Sequence, residues 1–317
     1  VNAQTDSVVA AVDWGTTSFR VWLLNAQGEA IAESRSDEGL LKAAETGFGK
    51  ILEDHLRNLG ADSELPVIVC GMAGSRQGWM EAPYTSCPAK LLDIPINAVA
   101  MPGTTRQIRI LPGIAQRRAD DPDVMRGEET QLLGLGEKLD KGSRLVCMPG
   151  THCKWVVTED GKVERFATWT TGELFNLMST ASILRHSIDG KSAKVSPGDP
   201  VFHDWAKRGL AEPEATFRHF FTIRAATLLG NLETIHAAAA LSGLLIGAEI
   251  ASALSWSGDE RLPIILVASG NLSDLYSQVL AQAGMEANVE DADAAVRAGL
   301  FLAYMLDSGQ KKREATA

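Results

Sequence analysis

Two apolar runs stand at the start of the chain, on either side of a polar stretch from Asp13 to Ser18. Together, Val8 to Leu24 predict a β-hairpin whose turn carries Gly15, Thr16, Thr17 and Ser18. After a turn at Gly28, residues 30–34 read as a third strand. Over 46–59, Phe48, Ile51, Leu52, His55, Leu56 and Leu59 recur at helical spacing and Gly60 follows as a stop, which predicts a helix. Residues 66–70 form a short, wholly apolar run of the buried-strand type that leads into GMAGSRQGW. The stretch 81–118 is rich in Pro and Gly, with strand-like pieces at 98–101 and 107–111, and reads as an inserted layer. A helix is expected over 125–138, its acidic first turn suiting the positive end of the helix dipole.

The opening pattern then returns. A strand at 144–148 runs into Pro149-Gly150-Thr151, strands resume at 154–158 and 163–167, and Glu159-Asp160-Gly161 turns between them. Helices are expected at 171–186, 214–229 and 237–254, the first with a capping box in which Thr170 caps and Glu173 reaches back. A last βα step follows: strand 262–268, the turn Ser269-Gly270-Asn271, helix 273–283, and an amphipathic helix over 291–306. Strands and helices alternating in two similar halves indicate an α/β fold with a domain change near residue 140, giving domains 1–140 and 141–317. The length of 317 residues agrees, since single cores seldom grow that large.

Composition narrows the partners. A net charge of −10 leaves no basic field for nucleic acid or an acidic membrane surface, though a few Arg and Lys can still converge on a small anion. The four cysteines, at 70, 87, 147 and 153, have neither metal-ligand nor disulfide-framework spacing, so a reduced cytoplasm is the expected home. No basic leader precedes the first strand, and the apolar stretch 237–254 is interrupted by Gly243, Gly247 and Glu249, which argues against a membrane span. Oligomeric state is not encoded in any pattern of the chain.

The two Gly-Thr turns are the candidate chemistry. Gly15 lets backbone approach a ligand closely, and successive N–H groups with the Thr16, Thr17 and Ser18 hydroxyls can cradle phosphate oxygens. Asp13, at the mouth of a buried strand, can hold a hydrated divalent cation beside that phosphate. Either turn alone is equally ordinary hairpin chemistry. Two such turns in two halves, followed by a Gly-bearing turn into a helix, supply the three parts a nucleotide needs: phosphate contacts from each domain and backbone against the nucleoside.

The motifs DWGTTSFRVW, PGTHCKW and VASGN resemble the two phosphate motifs and the adenosine motif of the actin, hexokinase and Hsp70-like ATPase superfamily. More narrowly, DWGTTSFRVW, GMAGSRQGWMEAPY, MRGEETQLLG, MPGTHCKWV, TGELF and LSGLLIGAE resemble the 2-dehydro-3-deoxygalactonokinase family across nearly the whole chain. That resemblance implies two ribonuclease-H-like domains with a nucleotide cleft between them. It also implies ATP and Mg2+ as cofactors and phosphorylation of the terminal hydroxyl of 2-dehydro-3-deoxy-D-galactonate, in galactonate catabolism. It places Asp13, Gly15, Thr16 and Thr17 against Mg2+ and phosphate, Gly150, Thr151 and His152 on the other phosphate side, and Gly270 with Asn271 near the nucleoside. Pro149 departs from the superfamily, which often has an acid there, so the metal rests on Asp13.

For the catalytic base the resemblance points to Glu128, which stands where glycerol-kinase-like relatives carry Asp after Gly, with Glu129 in reserve. Acids in a first helical turn are also simply stabilising. An acid sugar needs a cationic contact. Arg76, at the C-terminal end of a strand, is the first candidate, with Ser75, Gln77 and Trp79 as polar and stacking surface and Arg224 as a second cation. His152 and Cys153 lack a second ligand pair for zinc, and Gly134-x-Gly136 lacks the preceding strand of a dinucleotide fingerprint. The alternatives are a kinase of another keto-deoxy or aldonic acid, or a nucleotide-driven switch of the actin or chaperone kind. The switch would want filament surfaces or a peptide-binding domain.

Overall fold

The structure, a computed structural model, describes residues 6–188, 195–258 and 261–314. The chain folds into two compact units, and the division is not a single cut near residue 140. The first takes residues up to 142, together with 158–165 and the C-terminal stretch from 292, and the second takes 143–157 and 166–291.

In the first unit, the predicted hairpin is β1 (Val9–Trp14) and β2 (Phe19–Leu24), extended by β3 (Ala30–Ser36). The expected helix over 46–59 is α2 (Phe48–Asn58), and a further helix, α1 (Leu40–Thr46), precedes it, set apart by Gly47 at φ 98°. Next come β4 (Val67–Gly71) and the small strands β5 (Thr85–Ser86), β6 (Ala89–Lys90) and β7 (Val99–Ala100). The unit continues with β8 (Ile108–Ile110), β9 (Ile114–Arg117), β10 (Pro122–Met125) and α3 (Glu128–Gly134). The expected helix over 125–138 is thus shorter, since Met125 completes a strand paired with β9 and Gly127, at φ 108°, turns the chain before the helix begins. β5 and β10 flank β9 in a separate three-stranded sheet.

The second unit holds β11 (Ser143–Met148), most of β12 (Cys153–Glu159), the latter half of β13 (Lys162–Trp169), α4 (Thr171–Thr180), α5 (Pro200–Ala211), α6 (Thr216–Leu228), α7 (Ala237–Ser257), β14 (Ile264–Val267), α8 (Asn271–Gln282) and β15 (Ala287–Glu290). α4 stops at Thr180, short of the expected 186. Neither α5 nor β15 was expected. α9 (Ala292–Glu314) then returns to the first unit.

Strand order exposes a duplication. The first unit reads β3-β2-β1-β4-β8 and the second β13-β12-β11-β14-β15, the same order in each. β1 pairs parallel with β4 and β4 with β8, just as β11 pairs with β14 and β14 with β15. This is the α/β, ribonuclease-H-like pattern, three hairpin-linked strands followed by two crossover strands, formed twice. Trp14, Phe19, Leu52 and Val69 fill the first core, and α7 threads the second, with Leu241, Leu244 and Ile250 buried. By length and composition α7 could cross a membrane, but most of it is inside the second unit. There Gly243 and Gly247 let it approach α5 at backbone contact.

α9 reaches the first unit by the same device. A Cβ on Gly134 of α3 would overlap the Ala295 carbonyl, and one on Gly299 would overlap the Thr130 carbonyl, so the two helices interlock through glycine. Gly134 is a packing residue, and a helix–helix contact explains it better than the helix end alone.

Candidate functional site

Asp13 sits one residue from the end of β1, level with Arg20 on β2 and Cys70 on β4. Its Oδ1 accepts from Cys70 Sγ at 3.7 Å, and Arg20 Nη1 lies 3.7 Å from Oδ2. Arg20 is shared with Asp293 at 2.5 Å, so its charge is not spent on Asp13 alone. Burial pushes the Asp13 pKa up against the pull of Arg20, with Asp293 and Glu128 adding to the rise. About a fifth of the side chain (20%) still reaches solvent. A crowded carboxylate with an open edge and more negative charge than positive around it suits a cation that keeps most of its ligands as water and phosphate.

The turn after Asp13 is built differently from the expectation in one respect. The Gly15 N–H donates to the Ser18 carbonyl at 2.8 Å and is therefore used to close the turn. Thr16 and Thr17 are exposed, and their backbone is braced from behind: a Cβ on Gly39 would strike Thr16, and Leu40 N–H donates to the Gly15 carbonyl at 3.0 Å.

At the sheet end in the same unit, Gly127 lies against Gly71, and the next two residues face different surroundings. Glu129 has no exposed surface; Oε2 accepts from Gly127 N–H at 2.6 Å and Oε1 from Thr130 Oγ1 at 2.8 Å. Burial, then the nearby Glu128 charge, push its pKa up to about 7. Glu128 is only partly buried, and one carboxylate oxygen accepts from Arg126 N–H at 3.0 Å. Of the two acids, Glu128 is the one that is not fully buried.

Of the proposed sugar-acid residues, Arg76 and Gln77 are exposed and Ser75 is buried. Trp79 stacks on Phe48 at 6.0 Å and meets Trp14 edge-on at 6.2 Å, which engages it with the core cluster more than with a ligand surface. Arg224 belongs to the second unit and donates to Ser187 Oγ at 3.0 Å, a structural contact between α6 and the segment after α4. Arg126 and Tyr84 were not singled out, although the guanidinium lies 4.4 Å over the Tyr84 ring.

In the second unit, the turn at Gly150 and Thr151 is held by the start of α4. A Cβ on Gly172 would collide with the Gly150 carbonyl, and Glu173 N–H donates to the Thr151 carbonyl at 2.9 Å. The capping box does not form: Thr170 makes no side-chain cap, and the Glu173 carboxylate instead meets His152 Nε2 at 2.8 Å. The reason is local, since Thr170 lies at φ −86°, ψ 35°, away from the extended backbone a capping side chain needs. Lys154 is buried and engaged.

Gly150, Thr171, Gly172, Tyr276 and Asn271 line one cavity of about 250 Å3, walled otherwise by apolar side chains such as Phe175 and Leu275. Asn271 opens α8 after Gly270, at φ 61°, and its Nδ2 donates to the Val195 carbonyl at 3.0 Å. The turn at Gly150 and the turn that opens α8 thus share a pocket. Beneath it lies Glu249, fully enclosed, accepting from Trp155 Nε1 and Tyr276 O–H at 2.8 Å each and hydrogen-bonded to Thr171. Burial raises its pKa. An acid inside an otherwise apolar helix was the available signal for Glu249. Among the described residues no group of three or more His, Cys, Asp or Glu gathers at metal-ligand geometry.

The chain matches the family model of 2-keto-3-deoxy-galactonokinase over residues 13–303. A Rhizobium meliloti protein named "Probable 2-dehydro-3-deoxygalactonokinase" is 48% identical over 299 residues, covering 94% of this chain and 97% of that one. The 2-dehydro-3-deoxygalactonokinase of Escherichia coli is 35% identical over 292 residues, covering 92% and 95% respectively. A crystal structure of a Sinorhizobium meliloti protein given the same enzyme name superposes with a TM-score of 0.88 at 49% identity, covering 93% of this chain and 97% of that one.

Proposed function

The chain belongs to the 2-keto-3-deoxy-galactonokinase family, and on that premise we propose how its residues carry out the transfer. It is a sugar-acid kinase that uses ATP to phosphorylate 2-dehydro-3-deoxy-D-galactonate, giving the 6-phosphate and ADP. Glu128 accepts the proton of the terminal hydroxyl as that oxygen attacks the γ-phosphorus, the bond to the β-phosphate oxygen breaks, and ADP leaves. Thr16 and Thr17 are the phosphate-contacting candidates of the first unit, and Gly150 and Thr151 those of the second. Asp13 is the residue that would hold Mg2+, which when bound neutralises charge on the phosphate oxygens.

The observation that most supports the nucleotide half of this reading is the shared cavity of about 250 Å3. It is concave, mostly apolar, and bordered by backbone at Gly150 and by the N-terminus of α8, which suits a purine with phosphates leading toward the turn. The four cysteines are unpaired and three are buried, which suits a reducing cytoplasm.

Coupled ADP release against a panel of keto-deoxy acids, aldonates and neutral sugars tests the reading. Turnover concentrated on the keto-deoxy acid is expected. Turnover on a neutral sugar with none on any acid would overturn it.

A further inference from the structure

The first unit contains a half-buried cation that is paired with no acid among the described residues. Arg126, immediately after β10, donates from Nη2 to the Ala82 carbonyl at 2.8 Å and lays its guanidinium over Tyr84. Its Nε and Nη1 are enclosed yet have no hydrogen-bond partner, and among the described residues no carboxylate pairs with it. A guanidinium withdrawn from water without an acid is costly, because its strong hydration is lost and only a ring face and one carbonyl replace it. Nη1 packs at the Gly74 backbone, where a Cβ would stand 2.7 Å away, and the next residue, Ser75, has its own hydroxyl buried without a partner. Thr85 Oγ1, one residue past Tyr84, is in the same condition.

These groups share one place in the fold. Met125 and Thr85 both lie level with Ile114 of β9, on its two sides, so Arg126 and Tyr84 leave neighbouring edges of the small sheet together. Arg126 is also one residue from Gly127 and two from Glu128, whose carboxylate its backbone N–H holds. The loop 72–80 that follows β4 supplies Gly74 and Ser75. Two guanidinium nitrogens without a partner, on the residue whose backbone N–H holds Glu128, and the unpartnered Ser75 hydroxyl next to Gly74 form the donor set for a small carboxylate.

Resting on the kinase reading above, we propose that Arg126, stacked on Tyr84 and flanked by Ser75, is the residue that recognises the carboxylate of the sugar acid. With Nη2 spent on the Ala82 carbonyl, Nε and Nη1 are the donors left over, on different edges of a rigid planar cation, and a lysine cannot reproduce that donor arrangement. The exposed Arg76, which the sequence pattern favoured, is then a surface residue. Specificity for an acid over a neutral sugar comes from a group that is poorly satisfied until the acid arrives.

The test compares wild type, Arg126→Met, Arg126→Lys, Ser75→Ala and Arg76→Met with 2-dehydro-3-deoxy-D-galactonate and with its uncharged C1 amide. For Arg126→Met the KM for the acid should rise about 100-fold, with KM for ATP within about twofold and the acid-over-amide preference lost. Arg126→Lys keeps the charge and should raise the acid KM about tenfold, which holds the proposal open to test should the Met variant fail to fold. Ser75→Ala should give a smaller rise and Arg76→Met none. An unchanged acid KM in folded Arg126→Met or Arg126→Lys, or a loss of acid preference in Arg76→Met alone, overturns the proposal. Absence of wild-type turnover on the keto-deoxy acid would instead overturn the substrate reading, so the two failures are distinguishable.

Discussion

Gly127 donates its backbone N–H to the Glu129 carboxylate at 2.6 Å, and this bond separates the roles of two adjacent acids. With Thr130 on the other oxygen, Glu129 is closed into the protein, whereas Glu128 is only partly buried and near enough to Asp13 for its charge to raise the Asp13 pKa. Replacing Glu128 by Gln should lower kcat by roughly 10²–10⁴-fold, the usual worth of a positioned base, while ATP binding measured by calorimetry is retained. Glu129→Gln should leave kcat within a few-fold. A large kcat loss in Glu129→Gln with near-normal Glu128→Gln would exchange the two assignments.

Glu129 also makes stability depend on pH. Its pKa is about 7 in the folded protein against an ordinary 4.5, raised first by burial and then by Glu128. A carboxyl that binds its proton more tightly when folded stabilises the fold most below the unfolded pKa. That contribution is lost as pH rises from about 4.5 through 7, and amounts to about 3 kcal/mol over the whole window. Urea unfolding of wild type and Glu129→Gln across this range should show wild type losing stability relative to the variant as pH rises, with the difference levelling off above pH 7. Parallel curves would mean that Glu129 does not titrate in this window.

Asp13 offers the opposite pairing of stability and function. Since burial raises its pKa, the ionised form is held at some cost, and an uncharged Asn should fold at least as stably. The same change removes the candidate metal ligand, so turnover should fall by roughly 100-fold or more, with a higher Mg2+ concentration needed for half-maximal rate. Thermal unfolding and a Mg2+ titration of activity read the two effects independently. A variant that loses stability but keeps its Mg2+ dependence would show Asp13 to be structural.

What the chain's pattern made legible was whatever local periodicity encodes. Both hairpins, both Gly-Thr turns and the βα step at Gly270 lie within a residue or two of expectation, because alternation and turn residues act over short range. α5 escaped the reading although Asp199 caps it, Pro200 opens it and Phe202, Trp205, Ala206 and Gly209 are buried at helical spacing; what no local pattern held is its packing on glycines of the distant α7. The return of α9 to the first unit was equally hidden, because the contact that fixes it joins Gly134 to Ala295 and Gly299 to Thr130, far apart in the chain. In the site, motifs indicated which segments matter but not which member of each faces a ligand. Arg76 and Arg126 look alike in sequence, and only burial separates them.

Glu249 is the remaining buried acid, and its neighbours suggest why the second unit retains it. Trp155 Nε1 and Tyr276 O–H both donate to it, and it is hydrogen-bonded to Thr171; Thr171 and Tyr276 line the cavity that Gly150 and Asn271 share. It is therefore placed to act as a positioning residue that holds two walls of the proposed nucleotide pocket. A Gln in its place has one accepting oxygen where two donors converge, so one of Trp155 or Tyr276 loses its partner, at a cost of about 1–3 kcal/mol. Glu249→Gln should accordingly lower the unfolding midpoint and raise KM for ATP by roughly tenfold, the pocket walls no longer being held in place. KM for the sugar acid should stay within about twofold, because the cost falls within the second unit. If instead kcat fell with both KM values unchanged, Glu249 would be tuning the transfer step, and a role in shaping the ATP pocket would be ruled out.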